Sequence, residues 1–118
     1  DIGSAFDVDW TLPGICIIGQ GFSGTTPIVR FTTDVAELYL NTSEYLSPIP
    51  ANVSKFRDPS TGKPVPLGSD GSLPTGNPPS IYLKVASGAA ASTFAINLGT
   101  GGNFTIVGSL SIAATNPY

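Results

Sequence analysis

The chain has 118 residues, enough for one domain with a real core, and its 41% hydrophobic content excludes a disordered polypeptide. Charged residues make up only 11%, against roughly 25% in ordinary soluble domains. Lys and Arg number 5 against 8 Asp and Glu, a net charge of -3, which leaves no basic footprint for a nucleic-acid backbone.

Histidine is absent, so no histidine-dependent triad can be assembled. Cys16 is the one cysteine, which excludes an intrachain disulfide. It sits within the apolar run Ile15–Ile18 and reads as a buried thiol. No run approaches the roughly 20 apolar residues of a membrane span. The chain starts at Asp1 and contains no Met, as a processed mature chain would.

The first predicted element is the stretch DIGSAFDVDWTL. Ile2, Ser4, Phe6, Val8 and Trp10 fall on one side, with Asp7 and Asp9 on the other. Pro13-Gly14 ends it, so residues 1–12 read as an extension and residues 13–118 as a single sandwich domain. Next comes ICIIGQGFSG, with Gly19, Gly21 and Gly24 at dinucleotide-fingerprint spacing. That fingerprint needs a helix opening at the third glycine, to hold a pyrophosphate. Thr25-Thr26-Pro27-Ile28-Val29 continues as strand instead, so the glycines read as a turn with a bulge, and no cofactor is expected.

Further strands are predicted over Ile28–Thr32, Ala36–Leu40 and Val53–Arg57. A short helical turn is the most that fits at about 42–47. RDPSTGKP at 57–64 places Asp, Pro and Gly for a turn. Residues 66–80, PLGSDGSLPTGNPPS, read as a long polar loop. Ile81, Leu83 and Val85 alternate with Tyr82 and Lys84, and Phe94, Ile96 and Leu98 alternate with Thr93, Ala95 and Asn97. GTGGN at 99–103 reads as a hairpin loop into the longest alternating face, Phe104, Ile106, Gly108, Leu110 and Ile112. The prolines and glycines between these runs break helices at about 3 and 1 kcal/mol each. The expected fold is all-β: an antiparallel sandwich of seven to eight strands, immunoglobulin-like or jelly-roll.

No catalytic or metal-binding residue is assigned. Asp7, Asp9, Asp34, Glu37 and Glu44 supply carboxylates, but Asp7 and Asp9 fit a solvated strand face. GSDGS at 68–72 and the Asp7/Asp9 pair offer oxygen ligands for calcium without the EF-hand spacing, and a plain turn or strand face explains them. Asn41-Thr42-Ser43, Asn52-Val53-Ser54 and Asn103-Phe104-Thr105 are N-glycosylation sequons, which favour a surface protein. Tyr39 and Tyr82 fall on polar strand faces, where they would stack on sugar rings or pair across strands.

The N-terminal alternating strand, the sandwich pattern and the strand NFTIVGSLSIAA near the C-terminus resemble the donor-strand pilins, such as subunits of chaperone–usher pili and comparable archaeal or bacterial filament proteins. The resemblance is architectural, and it departs from those many pilins that carry an intrachain disulfide. It implies an extracellular filament subunit at the cell surface whose partners are other copies of the chain. Ile2, Phe6, Val8 and Trp10 would plug the neighbouring subunit. The alternatives are pairing of this strand within its own chain, a carbohydrate-binding or adhesive module, and a viral coat protein.

Overall fold

The computed structural model describes residues 20–23, 26–30 and 34–114. The chain divides into two units, Asp1–Asp34 and Val35–Tyr118.

The first unit holds β1 (Gln20–Ser23) and β2 (Thr26–Arg30), which pair antiparallel. Gln20 stands opposite Arg30 and Ser23 opposite Thr26, with a register shift between Gly21 and Phe22. The bulge expected of the glycine-rich stretch thus falls beside Gly21. The chain after the G-x-G-x-x-G stretch returns as β2, and a strand in that place cannot offer a pyrophosphate a helix N-terminus.

The second unit is built on a ribbon of β3 (Glu37–Leu40) and β4 (Ile81–Lys84). Their register is regular, Glu37 opposite Lys84 and Tyr39 opposite Tyr82. Between them lies one turn of helix, α1 (Pro50–Val53). Ile49 is its N-cap with extended backbone, and Pro50 starts it, because a proline has no N–H to leave unsatisfied in the first turn. Arg57 and Pro64 form an isolated bridge across the 58–63 turn. Asp58 closes that turn by accepting the N–H groups of Ser60 and Thr61, both at 2.8 Å, and Gly62 supplies the positive φ of +72°. A 3₁₀ helix follows at Ala91–Ala95.

The core is small and centres on β4. Tyr82 is 0% exposed, and Leu83 on the same strand, Pro79 just before it and Leu67 in the preceding loop are also buried. Two adjacent strand residues, Tyr82 and Leu83, are both buried, so β4 is covered on both faces. Segment 97–101 runs along its open edge. Leu98 N–H donates to Tyr82 O at 2.9 Å, Thr100 N–H to Pro79 O at 2.9 Å, and Gly101 N–H to Ser80 O at 3.0 Å. Asn97, itself buried, pins this segment: its Oδ1 accepts from Tyr82 N–H at 2.8 Å and Gly99 N–H at 3.0 Å, and its Nδ2 donates to Ser80 O at 3.0 Å.

The expected sandwich of seven to eight strands is therefore incorrect. The described residues hold four short strands in two separate two-stranded sheets. Residues expected as the Phe94–Leu98 strand form the 3₁₀ helix and the start of the pinned segment. GTGGN packs against residues 79–80 instead of turning a hairpin. Val53–Arg57 continues from α1 through turns, and the helical turn lies at 50–53 and not at 42–47. The physical reason is shared. Period-two alternation marks a chain able to pair, but a strand forms only where a ladder partner is free. The open edge of β4 is already occupied by 97–101.

Candidate functional site

Around Tyr82 the ribbon gathers aromatic and polar groups. The Tyr39 ring meets Tyr82 edge-on at 6.4 Å between centroids and Phe56 at 5.2 Å. Tyr82 Oη donates to Glu37 Oε1 at 3.1 Å. Lys84 Nζ lies 5.1 Å from the Tyr82 ring centre and donates to Gly68 O at 2.7 Å, which ties the 66–80 loop to β4. Lys55 makes a similar tie to Pro74 O at 2.7 Å. Gly71 faces the Tyr82 ring so closely that a Cβ there would lie 2.9 Å from Tyr82 Cγ.

This cluster corrects one expectation directly. Tyr39 and Tyr82 stand opposite each other on β3 and β4, the cross-strand pairing expected as one of the two readings, and do not form a surface platform for sugar rings. Tyr82 is fully buried, and the Tyr39 hydroxyl is buried without a hydrogen-bond partner among the described residues. Glu37 is engaged by the Tyr82 hydroxyl and Lys84 by the Gly68 carbonyl, so these two charged groups serve the packing at the edge of a small core.

The GSDGS loop is equally self-contained. Asp70 Oδ1 accepts from Ser72 N–H at 3.1 Å, and the Ser72 hydroxyl and backbone N–H hold the Asp70 carboxyl below its ordinary pKa. Among the described residues no three acidic, Cys or His side chains converge as a metal site would require. Asp7 and Asp9 lie outside the described residues. An open groove of about 280 Å³ is lined by Pro48, Pro50, Val53, Ser54, Arg57 and Pro59. Its one guanidinium is turned to the backbone, Arg57 Nε donating to Gly62 O at 3.1 Å.

Of the interface residues expected from the sequence, Ile2, Phe6, Val8 and Trp10 lie outside the described residues. The three sequons do not. Asn41 is half-buried at the end of β3, Asn52 lies within α1, and Asn103 is exposed beside the Asn97 clamp.

The most distinctive surface is the stretch expected as the longest strand. Residues 104–112 have no strand assignment and, after Phe104 N–H donates to Ala95 O at 2.8 Å, no further backbone bond is seen within the described residues. Phe104 is 46% exposed, Leu110 48%, Ile112 61% and Val107 96%. Residues 85–118 contain no Asp, Glu, Lys or Arg. An apolar, strand-competent and uncharged segment is thus open to solvent, without the charges by which proteins ordinarily protect such edges.

Among the described residues no helix is long and apolar enough to cross a membrane. No protein-family model, curated protein or solved structure matches the chain.

Proposed function

We propose that the chain is a structural subunit of an extracellular filament, joining a neighbouring copy by donation of its N-terminal strand, residues 1–12. The observation that carries this reading is the uncharged strip 104–112, largely exposed and without a strand partner among the described residues. Such a strip needs a partner, and strand addition supplies main-chain bonds and side-chain cover together. The sandwich groove is not required for this, because the acceptor is a single open segment.

The two segments are complementary in sequence. With antiparallel pairing of Ile2–Trp10 and Phe104–Ile112, Phe6 stands opposite Gly108 and Ser4 opposite Leu110, large against small, while Ile2, Val8 and Trp10 meet Ile112, Ile106 and Phe104 as apolar cross-strand pairs. Gly108 now holds a φ of +98°. Glycine can leave that conformation for an extended one without steric cost. Each large side chain covered contributes roughly 1.5–3 kcal/mol before ordering costs. Low charge and the three sequons support a place at the cell surface.

The test is removal of residues 1–12, read by analytical ultracentrifugation and negative-stain microscopy. The intact chain is expected to polymerise and the truncated one to remain short. A synthetic 1–12 peptide should bind the truncated chain, and the same peptide carrying Phe6→Asp and Val8→Asp should not, since two charges would enter dry positions. A truncated chain that polymerises as the intact one does would remove the proposal.

A further inference from the structure

The three sequons are equal in sequence but not in structure. Transfer of a sugar to asparagine makes two demands. The amide Nδ2 must be free to attack, and the hydroxyl two residues on must be free to be recognised. At Asn52 both are committed. Its Nδ2 donates to Ser47 O at 3.0 Å, and Ser54 Oγ donates to Ala51 O at 3.0 Å within the turn that ends α1. The Ser54 backbone N–H is also bonded, to Pro50 O at 2.9 Å.

At Asn103 the amide oxygen is the tie. Asn103 Oδ1 accepts from Asn97 N–H at 3.0 Å, and Phe104 N–H is held by Ala95 O. Turning the Asn103 amide toward an enzyme strips a partner from the backbone of buried Asn97, in the clamp that pins segment 97–101 to β4.

Asn41 differs from Asn52 in leaving Nδ2 and the downstream hydroxyl free, as Asn103 and Thr105 also do among the described residues, and it differs from Asn103 in what its amide oxygen holds. Its only hydrogen bond among the described residues is internal to the sequon, with Oδ1 accepting from Ser43 N–H at 3.0 Å. Its Nδ2 and the Ser43 hydroxyl donate to nothing described. Thr42, between them, is held to Ser80 through its hydroxyl at 2.6 Å and its N–H at 3.3 Å. That places the sequon at the end of the β3–β4 ribbon while leaving the two reacting groups unbound. Breaking the Asn41–Ser43 bond frees an exposed N–H, which water satisfies.

We infer that Asn41 is the glycan acceptor of the folded chain. With a nucleoside-diphosphate sugar as donor, the sugar C1–Nδ2 bond forms as the bond from C1 to the diphosphate oxygen breaks. The nucleoside diphosphate leaves with the electron pair, an Nδ2 proton passes to a base of the transferase, and nothing is oxidised or reduced. The inference stands independently of the filament reading.

The experiment uses full-length protein made without glycans, a soluble N-glycosyltransferase and UDP-glucose. Peptides covering each sequon serve as unfolded references, with an enzyme chosen because it modifies all three. Peptide mass mapping gives, for each asparagine, the rate in the folded chain divided by the rate in its peptide. Asn41 is expected to rank first, with Asn52 at least about tenfold lower, the factor that ~1.4 kcal/mol of local opening imposes. Ser43→Ala keeps the backbone N–H that Asn41 accepts, so it should abolish modification of Asn41 while leaving the unfolding midpoint unchanged. Any ranking in which Asn41 is not first overturns the inference, as does continued modification of Asn41 in the Ser43→Ala chain.

Discussion

At Gly71 the backbone has a φ of +79°, and the space a side chain would take is filled by the Tyr82 ring and Pro79. Gly76 has a similar φ, +87°, with nothing within 4 Å, and Gly102 has neither constraint. The three positions separate two costs. A left-handed conformation costs a non-glycine residue about 1–2 kcal/mol, and overpacking adds about 1–3 kcal/mol. Gly102→Ala should be neutral or slightly stabilising, Gly76→Ala should lose about 1 kcal/mol, and Gly71→Ala should lose the most, measured by urea unfolding. Equal losses at Gly71 and Gly76 would mean that the Tyr82 contact is not tight. Asp58 acts at the same scale through its charge. The N–H groups of Thr61 and Ser60 hold its carboxyl below its ordinary pKa. A depressed folded value means that the contribution is complete above the ordinary carboxylate range and is lost as pH falls through the folded value. Asp58→Asn keeps an oxygen to accept those N–H groups but does not titrate. Its stability should therefore fall less steeply than the native chain's below about pH 4. Identical acid slopes would exclude a role for this turn.

The elements differ in how far the sequence reveals them. Ala36–Leu40 and Ile81–Val85 alternate and form β3 and β4, and the 57–64 turn is legible because Asp58 and Gly62 act locally. Their faces are not legible, since burial of Tyr82 beside Leu83 depends on distant loops. The start of α1 left a signal in Pro50, a proline at the first helical position, which strand propensity at Val53 obscures. The 97–101 segment left none, because a side chain, Asn97, holds it to β4. Its docking takes the edge of β4 that faces away from β3, and 104–112 keeps a strand pattern without a strand. Of the candidate site, the apolar strip was legible and its exposure was not. Charge placed on that strip tests its role without touching the core. Val107→Asp together with Leu110→Asp should change the unfolding free energy by no more than about 0.5 kcal/mol, as surface substitutions do, yet reduce self-association severalfold. A double variant that assembles normally would move the acceptor elsewhere on the chain.

Over the whole molecule, charge ends early. Lys84 carries the last charged side chain, so no side chain in residues 85–118 can form or lose an ion pair with a neighbouring copy. The proposed junction would then be held by apolar contact and main-chain bonds, with Asp7 and Asp9 on the opposite face of the paired strands from Phe6 and Val8. Forces of that kind respond to solvent in a definite order. Sodium chloride screens exposed charges, its reach falling from roughly 30 Å at 0.01 M to 3 Å at 1 M, and has little to act on here. Sulfate is excluded from protein surface and strengthens apolar burial, while urea solvates both apolar and peptide groups. Light scattering should therefore show assembly nearly unchanged between about 0.05 and 1 M sodium chloride, promoted by ammonium sulfate and reversed by urea. Dissolution by sodium chloride alone would require attractive ion pairs between copies. The cationic side chains of the sequence are Arg30, Lys55, Arg57, Lys63 and Lys84, all outside the strip and outside residues 1–12, so that outcome would place the junction on a different surface.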